Sequence, residues 1–323
     1  MTAFHAFGRG WTAASRSKVA LLLMWFTYAL IAKIVAVPAV IWLLAQVVPS
    51  RIADKLLAHF DVTWIGDLAD SATPAVSALA GSAALAAALT WLAAVLFAGG
   101  VLAMLNEHWQ RFSFSRFLAS AGEYFWRILR LSLFGLVCYG LAWAVGRVPS
   151  LLANKIYGKG MEGWPIGVAG IAGSVLTALL FGWVATVLDY AKLRLVTDNV
   201  RGAFKALLRS FAFVFRHFWL TMSVWLMNAI LFALLGAVYL LASKAIHASG
   251  TWTILLLIVV QQLFVFFRTA QRIAGWGAAL AIYAALKEPP LEPELVVAWT
   301  GGAPPERRSG VEVEPPEWDG FGI

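Results

Sequence analysis

The sequence predicts an all-α fold, a polytopic integral membrane protein with six transmembrane helices and interfacial amphipathic helices. Two observations carry that prediction. Of 323 residues, 61% are hydrophobic and 13% charged, whereas a soluble domain carries about 45–50% apolar and about 25% charged residues. A soluble protein of this size could not cover its surface with so few charges. The apolar residues also gather into six runs, each long enough to cross a hydrocarbon core about 30 Å thick, which needs roughly 20 residues of helix. Strand-built barrels satisfy the backbone in lipid equally well, but they read as short alternating segments rather than long apolar runs.

The runs cover 19–48, 75–105, 129–148, 164–188, 218–242 and 251–286. The apolar core of the first is too long for a cleavable signal peptide, so it is expected to stay as a span. Orientation follows from Lys and Arg. Eighteen of the 25 fall in the N-terminal segment, the second and fourth connections and the C-terminal segment, six fall in the other connections, and Lys33 lies inside the first run. By the positive-inside rule both termini are expected in the cytoplasm, with the chain multi-pass in the cytoplasmic (inner) membrane of a bacterium.

Three connections carry helical periodicity. Over 193–218, the residues Leu193, Val196, Val200, Phe204, Leu207, Phe211, Val214 and Phe218 recur every three or four positions, one face of a helix. Thr197 or Asp198 is its expected cap. Arg201, Lys205 and Arg209 step by four along another side, with Arg216 a heptad further. Beside an anionic cytoplasmic leaflet each such cation is attracted by about 1 kcal/mol, which makes the four candidate anionic-lipid contacts. The positive-inside rule accounts for the same charges with no recognition role. A second element, 109–129, aligns Trp109, Phe112, Phe117, Ala121, Tyr124 and Ile128, with Ser113 or Ser115 as cap. An outer one, 51–68, spaces Ile52, Leu56, Phe60 and Trp64 by four; Asp54, Asp61, Asp67 and Asp70 lack the spacing of a calcium loop. Aligning Phe117 with Phe204 sets Tyr124 on Phe211, Ile128 on Phe215 and Leu131 on Phe218, which suggests an internal repeat, although shared periodicity alone yields much of this match.

The run 189–219, DYAKLRLVTDNVRGAFKALLRSFAFVFRHFW, resembles the segment between paired spans in certain bacterial six-span membrane proteins. These are the membrane domain attached to some glycerophosphodiester phosphodiesterases and its stand-alone relatives. The resemblance covers architecture over about 1–287. It implies a six-span fold, no phosphodiesterase activity for this chain, and no catalytic residue to carry over.

Polar residues inside spans suggest a site. Lys33 lies fourteen residues into the first run, about 21 Å along the axis, where a lysine costs about 2.5–3.5 kcal/mol. Asn228, Gln261, Gln262 and Thr177 are expected at comparable depth. With Lys33 they form the candidate midplane polar cluster, the usual place for a transporter's substrate site. The alternative is interhelical hydrogen bonding at about 0.6 kcal/mol per contact, with Lys33 snorkelling. Pro38 can kink the first span, and snorkelling explains Arg268 and Arg272. The alanines from Ala83 to Ala88, then Gly99 and Gly100, and Gly167, Gly170 and Gly173 mark two spans expected at the bundle centre. Gly275 and Gly277 are expected to let the last helix bend. Trp109, Trp126, Trp164, Trp219 and Trp252 form an expected interfacial belt.

Other motifs fail. The glycines of 158–163 match GxGxxG without a preceding strand. The histidines at 5, 59, 108, 217 and 247 lack metal-pair spacing, and the single cysteine, Cys138, permits neither an internal disulfide nor a cysteine zinc site. No hydrolase, Walker or zincin pattern appears. No catalytic, cofactor-binding or metal-binding residue, no cofactor and no nucleic-acid partner is therefore expected, and nothing sets an oligomeric state.

Residues 288–323 hold seven of the twelve prolines and eight acids, which predicts a disordered cytoplasmic tail beyond a transmembrane domain of 1–287. Its aromatic anchors, at 295–299 and in PPEWDGFGI, suit a short protein-partner contact. The net charge of +8 divides into +14 for 1–287 and −6 for the tail. That division suggests that the tail competes with anionic lipid for the 201–209 stripe. The expected role is a non-enzymatic envelope scaffold or accessory protein. A small-solute or lipid transporter using the cluster around Lys33 is the alternative, and a lipid-modifying enzyme ranks third.

Overall fold

In the computed structural model the described residues are 2–47, 73–107, 112–157, 164–246 and 251–287, and their regular structure is entirely helical. The helices are α1 (Ala3–Arg16), α2 (Lys18–Val47), α3 (Thr73–Asn106), α4 (Phe114–Gly146), α5 (Val148–Tyr157), α6 (Trp164–Thr197), α7 (Ala203–Arg216), α8 (Phe218–Ala245) and α9 (Thr251–Leu286). Among the described residues five stretches are long and apolar enough to cross a membrane, or six if α1 and α2, bent by 78°, count as one. Their outward faces are apolar: Phe26, Leu136, Ile171, Leu234 and Val259 are all exposed. That is the inverse of a water-soluble fold. The candidate site lies within the compact unit Met1–Ala285. The 51–68 element, Trp109, Pro38's side chain and the tail 288–323 lie outside what is described.

Burial concentrates at one end of the bundle, where α2, α4 and α8 begin and α3, α6 and α9 finish. Met24, Leu102, Phe117, Leu131, Leu193, Leu195 and Ile273 are fully buried there. At the other end Val37, Leu85, Leu141 and Leu240 are exposed. The alanine-rich half of α3 faces outward with it, while the following half, Val95 to Leu105, enters the core. Glycines permit the close approaches: a Cβ on Gly100 would strike the Phe117 ring, and one on Gly173 would meet the Gly146 carbonyl. Gly167 and Gly170 face open space.

Two expected elements have different bounds. The 109–129 element and the third span form one unbroken helix, α4, with Ser113 at the N-cap position but without a side-chain cap bond. The 193–218 element is two helices. α6 runs on to Thr197 because Leu193, Leu195 and Val196 are buried in the core. The chain then turns at Asn199, whose φ of 47° is left-handed, a region that asparagine tolerates better than most residues. Arg127 Nη1 donates to Asn199 Oδ1 and the Tyr283 hydroxyl donates to Asp198, tying the turn from both sides. Thr197 is not a cap; its hydroxyl donates to the Leu193 carbonyl at 2.8 Å. The cap position of α7 is Gly202.

Sequence periodicity does not announce α1, because its buried stripe is Ala6, Gly10 and Ala14. Its counterpart is α7, two hundred residues on. Ala3, Phe4, Ala6, Arg9 and Arg16 recur as Ala203, Phe204, Ala206, Arg209 and Arg216. The buried stripe recurs as Ala206, Ser210 and Val214. Each helix ends in a one-residue hinge, Ser17 (φ −92°, ψ 35°) or His217 (φ −115°, ψ 35°). The hinge carbonyls accept from Leu21 and Thr221 at 3.0 and 3.1 Å, starting α2 and α8 alike. The likeness therefore links α1–α2 with α7–α8, a different pair of elements from the α4 and α7 that the Phe117–Phe204 alignment matches. α9 does not break at its glycines; Gly277 instead meets α1, where its Cβ position would lie 3.2 Å from the Gly10 Cα.

Candidate functional site

The packed end of the bundle is not solid. A cavity of about 720 Å³ lies among α2, α3, α6, α8 and α9, and one of about 270 Å³ lies among α2, α3, α4, α6 and α9. Tyr28, Asp189 and Arg272 line both and form the partition between them.

Asp189 organises the partition. Its Oδ1 accepts from Arg272 Nη2 at 3.1 Å, Lys192 Nζ at 3.1 Å and Trp276 Nε1 at 3.2 Å, while Oδ2 accepts from Arg272 Nη1 at 3.4 Å. Helical spacing makes this possible. Asp189 and Lys192 are three apart on α6, and Arg272 and Trp276 are four apart on α9, so each pair shares a face. The Arg272 guanidinium also lies 5.0 Å over the Trp276 ring. One turn away Arg268 lies 4.8 Å over Phe232, and it has no carboxylate partner among the described residues. Asp189 thus faces two cations, Arg272 and Lys192, and Arg268 lines the larger cavity one turn from Arg272.

The larger cavity has apolar walls from Met24, Val224 and Val265 and an amide rim from Asn228 and Gln271. Gln271 Nε2 donates to the Asn228 backbone carbonyl, clamping α9 to α8, and Asn228 Nδ2 donates to the Val224 carbonyl at 3.0 Å. Among the described residues no three His, Cys, Asp or Glu side chains gather where they could hold a metal. The chemistry that the site offers is charge and hydrogen bonding beside an apolar wall.

The expected midplane residues are dispersed. Asn228 lines the larger cavity. Lys33 is exposed on α2, Gln261 is exposed on α9 and Gln262 is half-buried beside it, its Oε1 without a hydrogen-bond partner among the described residues. Thr177 donates to the Gly173 carbonyl of its own helix at 2.7 Å and faces Gly146. Arg201 is exposed in the turn before α7, and Lys205, Arg209 and Arg216 are exposed on α7 itself. Sequence reasoning missed Asp189 and its partners. The available signal was that Asp189 is the one acid between Glu162 and Asp198, inside an apolar run.

Long apolar helices, a lipid-like exterior and an all-helical build define a polytopic helical membrane protein. Compared with protein-family models, curated proteins and solved structures, the chain matches none.

Proposed function

We propose that the chain is a non-enzymatic multi-pass protein of a bacterial cytoplasmic membrane that takes an amphipathic molecule, a lipid or small solute, from the bilayer into the larger cavity. The single observation behind this reading is that cavity, about 720 Å³ with cations and amides at one side and aliphatic walls at the other. A volume of this size lies within the range of small-molecule sites, which are mostly apolar with a few placed polar groups. Ionisable residues in membrane helices are costly and commonly mark a pathway, and here they gather at Asp189 rather than at Lys33. The groups at the partition are ion-pairing and hydrogen-bonding side chains, with no nucleophile–base pair among them.

Ala229 lines the cavity, so Ala229→Phe fills it while keeping α8 apolar. The purified variant should remain folded and lose most of the lipid or solute that copurifies with the wild type. Unchanged copurification, measured by mass spectrometry after organic extraction, would reject the cavity as the working site.

A scaffold role is favoured by a different observation, the faces of α7. Ala206, Ser210 and Val214 are buried, Phe204, Leu208, Phe211 and Phe215 are exposed along a second face, and Lys205, Arg209 and Arg216 are exposed along a third. Such a helix suits the membrane interface, with aromatics in the acyl region and cations toward anionic headgroups. In this reading α7, α1 and the acidic tail organise lipid or a partner protein on the cytoplasmic face.

A further inference from the structure

Resting on the larger cavity as the working site, we propose that its ligand is an anionic glycerophospholipid of the cytoplasmic leaflet, its phosphate held by Arg268 and Arg272. Charge comes first. The larger cavity is lined by Asp189, Arg268 and Arg272, so one carboxylate offsets one of two arginines and leaves a positive excess that a neutral ligand would not compensate.

The donors are also arranged for a phosphate. Arg268 and Arg272 are four apart on α9, which places them on one face about 6 Å from each other. Asp189 takes two N–H groups of Arg272, and a guanidinium has five, so three remain while the ring of Trp276 fixes its plane. Arg268 is supported by Phe232 and, among the described residues, committed to no carboxylate. Planar guanidinium forks match phosphate oxygens in pairs. The Arg272 side chain is 48% exposed, so a ligand can reach it.

Depth fits as well. α1 crosses α9 at Ala274 and Ala278, and α1, like α7, has the build of an interfacial helix. Arg272 follows within about 3 Å of axis and Arg268 within about 9 Å on the membrane side, the region where lipid phosphates meet acyl chains. The aliphatic walls at Met24, Val224 and Val265 then accept chain carbons, which a free phosphate does not possess. A zwitterionic lipid brings an ammonium group against the two arginines and is disfavoured.

The full-length protein would be placed in nanodiscs of equal parts phosphatidylglycerol and phosphatidylcholine, and its retained lipid read by native mass spectrometry. The wild type should retain phosphatidylglycerol in preference. Arg268→Gln should weaken that retention about tenfold, the size of one charged hydrogen bond, and leave phosphatidylcholine unchanged. Arg272→Lys, which keeps the charge and loses the fork, should weaken it too, while Arg147→Gln at the other end of the bundle should not. If both variants keep the preference while Ala229→Phe strips bound lipid, the phosphate assignment falls and the cavity reading stands. If Ala229→Phe strips nothing, both fall. Should an arginine variant misfold, thermal shifts of the wild type decide. Short-chain phosphatidylglycerol must raise the melting temperature more than short-chain phosphatidylcholine and more than inorganic phosphate. Equal shifts from any two overturn the proposal.

Discussion

Arg272 grips both carboxylate oxygens of Asp189 from a helix 83 residues further along the chain. The pair joins α6 to α9, and Lys192 and Trp276 complete the carboxylate's shell. Without the carboxylate, Arg272 and Lys192 would face each other unscreened. Asp189→Ala is therefore expected to destabilise the protein by about 1–3 kcal/mol, below the figure for a fully buried pair because the Arg272 side chain is about half exposed. Denaturant unfolding in detergent measures the loss. In a double-mutant cycle with Arg272→Ala the losses should fall short of additive by at least about 1 kcal/mol; strict additivity would mean that the pair contributes nothing.

Gly10 and Gly277 let α1 and α9 touch backbone to backbone. A Cβ on Gly10 would strike the Ala274 carbonyl and the Ala278 amide, neither of which can turn aside, whereas nothing lies within 4 Å of a Cβ on Gly8. Gly10→Val should lift α1 from the bundle at a cost of about 1–3 kcal/mol. Gly8→Val should have little effect, since both changes alter helix propensity alike. Limited proteolysis within 1–17 reads the difference: rapid cleavage is expected in the first variant and wild-type protection in the second.

The long elements were legible because apolar length and charge asymmetry are properties of whole segments. α8 and α9 start at Phe218 and Thr251, where the apolar runs begin. The amphipathic elements were legible in kind and misjudged in extent. Periodicity cannot register a break such as the one at Asn199, since α6 and α7 each keep a 3.6-residue period on either side of it. α1 stayed hidden because its buried face is made of alanine and glycine, which carry little hydrophobic signal. The residues that line the cavity were hidden for a related reason. Depth along a span locates Lys33 and Asn228 at similar levels, but only the rotation of each helix decides which faces inward. Asn228 turns to the cavity and Lys33 turns away. Arg268 and Arg272 were visible and assigned to snorkelling, because their carboxylate partner lies on another helix.

The three faces of α7 predict where it meets lipid. Phe215 is 71% exposed on the aromatic face, while Arg216 points to the basic one. A bimane fluorophore on Phe215→Cys in a Cys138→Ser background should be quenched strongly by lipids brominated on their acyl chains, and one on Arg216→Cys weakly. Equal quenching would show that α7 does not lie with its aromatic face in the bilayer.

Orientation can be argued from the likeness of α1 to α7 as well as from charge. α1 and α7 enter α2 and α8 through hinges of the same geometry at Ser17 and His217. With α2 counted as a pass, α2, α3, α4 and α6 make four between them, and an even number of passes returns the chain to the side from which it started. On that count we propose that the two basic helices share one side with Arg127 and Arg130 at the start of α4. By the positive-inside rule the side proposed here is the cytoplasmic one. Alkaline phosphatase fused after Asn199 should be inactive and fused after Lys159 active, since the enzyme matures only outside the cytoplasm. Activity after both positions would break the parity of the four passes. Activity after Asn199 with none after Lys159 would invert the whole molecule, and would move the Arg268–Arg272 pair to the outer leaflet.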